Sequence, residues 1–497
     1  MSPSHTNESN ESSFGLRPFI AAADSFGEIE RVTGAHWDRE MSALSELVCK
    51  GPQNPPPAVL FDDVPGYPTG YRTLFGITNS ANRLALAVGM EPGFDHPLEF
   101  IEAFRHHSKH VTDGALLDPR VIDPGEAPLF ENQQTGDDVD IFSFPVPRFQ
   151  DDDGGRYIGT ADCVITQSPA DGAVNVGTYR MQAFDSNAVG ILSVAGHHGH
   201  RHIAAYHDQD DPAPIAAAFG MDPTLWNFSS YGLHHDNAYG EYAYTGGLKG
   251  EPFPVVEGPV TGIPLPANAE IVIEGFVDPE ETRIEGPFGE TFGYYGSDAS
   301  PRPFVDVKAI YHRDDPILTC ASPSKPPYDY SLHKSLSRSA NLWNQIEAAG
   351  VPDVTGVWRT EEGGARLFNI IAIDQQYAGH ARQAGHIAAH TQAGGQSNRW
   401  TIVVDDDVDP TNLSDVVWAM SSRCSPDNDI AILSDGWGTP VDPLADDKEH
   451  PTSSRAIVDA TIPYKRRDAF PDVVEHQQSF LDDIASRYES VITGTDE

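Results

Sequence analysis

Apolar positions over 26–47 recur with mixed helical spacing and stop at the proline-rich GPQNPPP (51–57). The AVLF that follows (58–61) reads as a strand and NSANRLALAVGM (79–90) as a helix, so the first stretch predicts a small α/β unit. From 140 to 307 the pattern changes. Short β-type runs (DCVITQ, YRMQAF, ILSVAG, AEIVIEGFV, PFVDVKAIY) alternate with Gly, Pro and Asp turns, which predicts a largely antiparallel barrel or sandwich. One helix is expected to interrupt it over 202–219. Leu332, Leu336, Trp343 and Ile346 then have helical spacing and stop at Gly350-Val-Pro352, a linker helix. A second α/β unit follows: TIVV (401–404) reads as a buried strand, and Asp409-Pro410 as the cap of a helix carrying Leu413, Val416, Trp418 and Met420. Phe480, Ile484, Tyr488 and Val491 form one stripe of a last helix, suited to packing on its own domain or on a neighbouring subunit. No internal repeat is present.

Composition narrows the class. A chain of 497 residues holds roughly two to four domains. Its net charge of −42, from 74 acids against 32 bases, makes nucleic acid a poor partner and points to a halophile-like acidic protein of a salt-rich cytoplasm. Cys49, Cys163, Cys320 and Cys424 are widely spaced and form no CxxC, so neither a zinc ribbon nor a disulfide framework is indicated. The polar first residues have no signal-peptide pattern and no later apolar run is of membrane-spanning length, so a cytoplasmic, membrane-free protein with a disordered tail is expected.

Three segments of the β-rich middle carry candidate chemistry. NVGTYR (175–180) supplies an amide, a glycine that admits close backbone approach and an arginine; GHHGHRH (196–202) supplies four imidazoles; and Glu241 ends a polar loop ahead of an apparent strand. Asn, His and Glu together form an oxygen-rich ligand set suited to Mn²⁺ or Mg²⁺. In EGPFGE (285–290) two acids lie five positions apart, which a strand sends to opposite faces and a helix leaves about 140° apart. The Gly-Pro-Phe-Gly between them is a bend, and a bend converges them. If Arg180 lies against Glu285 it keeps that acid ionised, and Glu290 is left as the protonated one. Against this stand plain surface roles: acidic loops are often only solvated, and arginines often only bridge. Walker, GxGxxG, HExxH and GxSxG motifs are absent.

NVGTYR, GHHG, EYAYTGGLKGEP, LPANAEIVIEGFVDPEETRIEGPFGETFGYY and IVVDDDVDP together resemble the UbiD family of decarboxylases, over about 61–460. The resemblance implies an α+β fold: a central split β-barrel that binds prenylated FMN, flanked by an N-terminal α/β unit and a C-terminal α/β oligomerisation domain joined by a linker helix. Placed on this chain, the divisions are a disordered tail (1–14), the N-terminal unit (15–125), the barrel (126–325), the linker helix (326–350), the C-terminal domain (351–475) and a terminal helix (476–497).

The same resemblance implies Asn175, His198 and Glu241 as ligands of a divalent metal, usually manganese, that ties down the flavin phosphate. His197 remains an alternative to His198. Arg180, Glu285 and Glu290 resemble the catalytic set, with Glu290 protonating the product carbon. Val176, Gly177, Thr178, Tyr179, Arg180, His197, Ser229 and Ser230 fall where the family holds its flavin, the serines near a potassium ion. Arg399 stands where many members have a lysine that contacts the flavin phosphate, so the resemblance implies a cofactor-binding role for it, and Thr291-Phe292-Gly293 reverses the usual order after the second acid. The implied reaction is reversible, non-oxidative loss of CO₂ from an aromatic, heteroaromatic or α,β-unsaturated acid. The implied partners are a flavin prenyltransferase that supplies the cofactor and further copies of the chain, as a homodimer or homohexamer. Competing readings are a flavin oxidoreductase on a similar barrel and a non-catalytic metal-binding assembly protein.

Overall fold

The computed structural model describes residues 14–493, apart from 113, 194–195, 231–236 and 297. Four sheets and the helices between them form an α+β architecture. The expected tail lies outside the described residues except for Phe14, which is buried with its ring 4.9 Å from that of Phe253.

The N-terminal sheet orders Ile29–Thr33, Ala58–Asp62, Arg72–Phe75 and Ile317–Cys320. Its fourth strand comes from the end of the segment expected to be barrel. In return, Arg120–Val121 pairs with Pro254–Glu257 in a small three-stranded sheet. The two units are interleaved, a feature that apolar periodicity does not record because it registers faces and not partners. Ser80 caps the helix Ala81–Ala87 by accepting from Arg83 N.

The central sheet has nine strands, all antiparallel. Its main order is Arg156–Gly159, Met181–Ala183, Ala188–Gly190, Ser300–His312, Ile271–Glu285, Ala213–Phe219, Asp162–Gln167, Val174–Gly177, with Asn132–Thr135 on a flank. Two connections dictate its shape. Residues 177 and 181, four steps apart, span at most about 14 Å. Yet the strands they end and begin lie six places apart, which a flat sheet would separate by about 29 Å. The link from Gly159 to Asp162 crosses the same six places. The sheet must therefore curl until its edges approach, as a half-barrel whose seam is crossed by 178–180 and 160–161.

Several expectations are corrected. Of 202–219 only the first part is helical, in His198–His207; Ala213–Phe219 is a strand paired on both sides. Its run of small apolar residues is buried almost throughout, so neither period shows. The strand expected at ILSVAG ends at Gly190, and residues 194–195 of that run lie outside the described residues. The segment 26–47 holds a strand as well as part of the helix Glu40–Cys49. The helix Pro97–Thr112 was not anticipated. Asn412, not Asp409, caps Leu413–Arg423.

The linker helix is Ser331–Ala348, held to Pro97–Thr112 by Arg105, which bonds Glu347 at 2.8 Å and lies over the Trp343 ring. The C-terminal sheet orders Val354–Arg359, Phe368–Ile373, Trp400–Asp405, Thr452–Asp459 and Ile430–Trp437. The TIVV run lies in its central strand, with parallel partners on both sides and buried, as a continuous apolar run requires. The terminal helix Gln478–Arg487 leaves Phe480 and Leu481 exposed. No helix among the described residues is long and apolar enough to cross a membrane.

Ahead of the linker helix, Asp329 accepts from Ser322 N with both oxygens and from the Ser45 hydroxyl, fastening this segment to the N-terminal unit. Its neighbour Tyr328 donates to Thr291 O, the carbonyl next to Glu290. Burial pushes the Asp329 carboxyl up to about 8. Because the folded value lies above the unfolded one, this stability is fully present below about pH 4 and is lost as pH rises through about 8. Asp329→Asn is expected to shrink the fall in melting temperature between about pH 6 and about pH 9. An unchanged fall, measured by thermal unfolding, would assign the pH dependence elsewhere.

Candidate active site

The seam crossing 178–180 delivers Arg180 to the end of the longest barrel strand. Arg180 Nε and Nη2 donate to the two oxygens of Glu285 at 2.9 and 2.8 Å, and Nη1 donates to Glu290 Oε1 at 2.8 Å. One guanidinium thus holds both acids of EGPFGE. Glu285 closes the strand Ile271–Glu285; the chain then turns at Gly286, whose φ is 89°, and Gly286 N donates to Gln182 Oε1. Pro287 O accepts from Gly154 N and the Tyr157 hydroxyl. Phe288 is buried within the bend, its ring 4.2 Å from that of Tyr157 and 5.2 Å from the Arg180 guanidinium carbon. This apolar plug turns the chain back so that Glu290 meets the arginine from its other side.

Side-chain exposure is 9% for Arg180, 1% for Glu285 and 14% for Glu290. Burial raises the Glu290 carboxyl above the ordinary range; Arg180 opposes that shift and the Glu285 charge adds to it. Arg180 itself is raised, the two acids outweighing a desolvation cost that is its largest single influence. A cleft of about 200 Å³ opens beside Glu290, with Gln150, Tyr294, Tyr295 and Lys325 in its wall. From the C-terminal domain, Val441 reaches Gly296, where a side chain would also strike Glu290.

On the other side of the crossing, Glu241 Oε2 accepts from Val176 N at 2.9 Å. Glu241 is the first residue of the helix Glu241–Lys249, not the residue ahead of a strand as expected. Asn175, one position from that contact, donates to Thr166 Oγ1, which also bonds His202 Nδ1 at 3.0 Å. Tyr179 Oη accepts from Gly199 N in the first turn of His198–His207, so His198 begins a helix anchored to the crossing. Two helix N-termini therefore lie against one strand, an arrangement that favours an anionic group. Thr178 bonds Ser229 through its backbone N and its hydroxyl.

Asn175, Glu241 and the histidine helix are thus gathered, whereas His197 stands at the helix cap with its ring 6.5 Å from that of Tyr179. Among the described residues no three His, Cys, Asp or Glu side chains form a metal-type group. The donors present here are an amide, a carboxylate and imidazoles, a set that fits a hard divalent cation better than zinc. Arg399 is half-buried and donates to Asp442 at 2.6 Å.

Sequence reading missed residues that the linker helix and the C-terminal domain bring to this region. Lys334 lies on it, its ammonium 4.0 Å over the Tyr330 ring, and burial holds it well below the ordinary lysine range. Arg338 and Arg366 line a cavity together with Ser230. Cations off the apolar stripe of a helix assigned only as a linker were the available signal.

The chain belongs to the UbiD family of carboxy-lyases. Its three domains, the N-terminal, Rift-related and C-terminal domains of 3-octaprenyl-4-hydroxybenzoate carboxy-lyase, match residues 20–96, 120–326 and 332–460. A phenolic acid decarboxylase of Streptomyces sp. (strain D7) is 32% identical over 454 residues, 90% of this chain and 92% of that protein. The vanillic acid decarboxylase of Sedimentibacter hydroxybenzoicus, solved in an open form, superposes with a TM-score of 0.80 at 26% identity, covering 97% of this chain and 99% of its own. The UbiD-class enzyme HmfF of Pelotomaculum thermopropionicum, solved with FMN, gives 0.81 at 26% identity, covering 95% and 100%. An evolved dimeric form of it, solved with prFMN, gives 0.79 at 25% identity, covering 95% and 99%.

Replacing Arg180 by glutamine removes the counter-ion of a buried pair of acids, a change that typically costs about 3–5 kcal/mol. Thermal unfolding is expected to show a larger loss at about pH 8 than at about pH 5, because Glu290, whose carboxyl is raised by burial, takes up a proton as pH falls. An equal loss at both values would contradict the charge argument.

Proposed function

We propose that this protein is a prenylated-FMN-dependent decarboxylase of aromatic, heteroaromatic or α,β-unsaturated carboxylic acids, working reversibly and without net oxidation. The observation that carries the reading is the single guanidinium of Arg180 shared by Glu285 and Glu290 beside a cleft. When bound, the modified flavin supplies the electron sink for the charge that departing CO₂ leaves on carbon, which no side chain can hold.

The chain's own residues do the rest. Glu285 orients Arg180 through two parallel bonds, and Arg180 in turn orients Glu290 and faces the substrate carboxylate. Glu290, with its raised carboxyl, carries the proton delivered to the product carbon from Oε1 or Oε2. Asn175, His198 and Glu241 would hold Mn²⁺ or Mg²⁺, which would supply positive charge for the flavin phosphate. Val176, Gly177, Thr178 and Tyr179, with His197, would line the cofactor, and Ser229 and Ser230 would serve the cofactor and a potassium ion. Arg399 contributes positive charge through its pair with Asp442. Relatives named phenolic acid decarboxylase and pyrrole-2-carboxylic acid decarboxylase, together with the solved vanillic acid decarboxylase and UbiD-class enzyme, support the reaction class.

A flavin prenyltransferase supplies the cofactor, and the chain assembles as a homodimer or homohexamer. Val417, Trp418 and Ile432, 55%, 43% and 68% exposed on the C-terminal domain, support assembly through that domain. The barrel at 126–325 and the C-terminal domain at 351–475 are proposed as the units that meet at the cofactor.

Glu290→Gln is expected to lower CO₂ release by about 100- to 10,000-fold while flavin stays bound, as measured by gas evolution and absorbance. Full turnover in that variant would remove Glu290 from the acid role. In the wild type, turnover should decline as pH rises through the raised Glu290 value, because the acid form is the active one. Asn175→Ala or Glu241→Gln should release metal and flavin together; flavin occupancy at the wild-type level would contradict the ligand assignment.

A further inference from the structure

The cleft beside Glu290 has a charged wall that the proposed reaction leaves partly unused. Among its described lining residues three are ionic, Glu46, Glu290 and Lys325. Both acids already hold a cation: Glu46 pairs with Lys50, and Glu290 with Arg180. Lys325 is exposed, and among the described residues its ammonium has neither an ion-pair nor a hydrogen-bond partner. With 74 acids to 32 bases, partners for a lysine are plentiful in this chain, and this one is left without.

The backbone fixes the root of that side chain. Glu290 N donates to Tyr294 O at 2.9 Å and Gly293 N donates to Glu290 O at 2.8 Å, closing a tight turn. Gly293 has a φ of 79°, and a Cβ there would lie 2.8 Å from Lys325 Cα. Glycine at 293 therefore lets the Lys325 backbone sit flush on the turn that carries Glu290. The segment around Lys325 is fastened at both ends, by Ser322 N on Asp329 and by the Tyr328 hydroxyl on Thr291 O. Proton donor and lysine are thus held against one turn. At about 200 Å³ the cleft takes a single aromatic ring with its substituents, since a cavity of about 150 Å³ binds benzene. Tyr294 and Tyr295, 63% and 41% exposed, give its wall aromatic surface.

We infer that Lys325 is a specificity residue that selects single-ring substrates bearing a second carboxylate. The inference rests on the decarboxylase reading in one respect: the carboxylate that leaves lies at Arg180 and Glu290, so the group that meets Lys325 is the one that stays. A lysine is a point charge on a flexible stem, which suits a carboxylate at more than one ring position. A phenol is neutral at pH 7 and gains a hydrogen bond from the ammonium but no ion pair, so it is held less firmly. A ring without a second polar group leaves the cation unmatched, and specificity is that difference.

The test reads binding and not turnover. The full chain as purified is titrated by calorimetry with benzoate, 4-hydroxybenzoate, isophthalate and terephthalate. Wild type is expected to bind one of the two diacids about tenfold more tightly than benzoate. Lys325→Gln should bring that ratio to within about threefold, and Lys325→Arg, which keeps the charge, should restore it. Lys325→Glu should exchange the preference for one toward 4-(aminomethyl)benzoate, whose ammonium replaces the second carboxylate. These variants alter an exposed side chain with no partner to lose, so folding is not at stake. A wild type that binds none of these acids, or binds neither diacid better than benzoate, overturns the inference. So does a diacid preference that survives Lys325→Gln, or a preference for 4-hydroxybenzoate over both diacids. CO₂ release is assayed apart from this: lost preference with turnover intact fails this inference alone, and diacid binding through Lys325 without CO₂ release fails the decarboxylase reading alone.

Discussion

The short crossing of the barrel seam is the constraint on which the rest depends. Residues 178–180 join two strands that lie six places apart in sheet order, so the sheet has to curl for the chain to connect at all. Asn175 lies in the strand that leads into this crossing, and Arg180 stands at the crossing's end. Curling brings the edge that holds Arg180 against the strand ending in Glu285, and Glu241 against Val176 on the other side. Closure of the barrel and assembly of the site are one event.

Once Arg180 is in place, the acids follow from electrostatics. A buried guanidinium needs a counter-charge, and Glu285 meets it with two parallel bonds. The second acid then shares a cation already matched, which favours its neutral form. Burial and the neighbouring charge both push Glu290 in that direction. Its position depends on packing as much as on charge: Phe288 fills the bend, Tyr328 holds Thr291 O, and Gly296 admits the backbone of Val441 beside Glu290. Three parts of the chain distant in sequence thereby set the position of one carboxyl.

Much of this was legible in the residues. The Gly-Pro-Phe-Gly spacing showed a bend because no regular element converges acids five apart, and the alternating runs of the middle segment showed antiparallel strands. What failed did so for physical reasons. Ala213–Phe219 is buried on both faces, so its composition carries no period to separate strand from helix. Glu241 opens a helix whose glycines, Gly246 and Gly247, lowered its helical appearance while allowing Leu117 and Ala115 to approach. The exchange of strands between the N-terminal and barrel segments leaves no trace in either pattern. Arg338 and Arg366 meet only across domains, and no local spacing encodes such a meeting.

The proposed function places a flavin along the seam, with Arg180 and its two acids at the reacting end. A crystal structure of the protein co-produced with a flavin prenyltransferase tests it most directly. The isoalloxazine is expected beside the 178–180 crossing, with Glu290 facing its modified ring and the phosphate toward Asn175 and Glu241. A flavin bound elsewhere, or a wall of side chains between it and Arg180, would contradict the account.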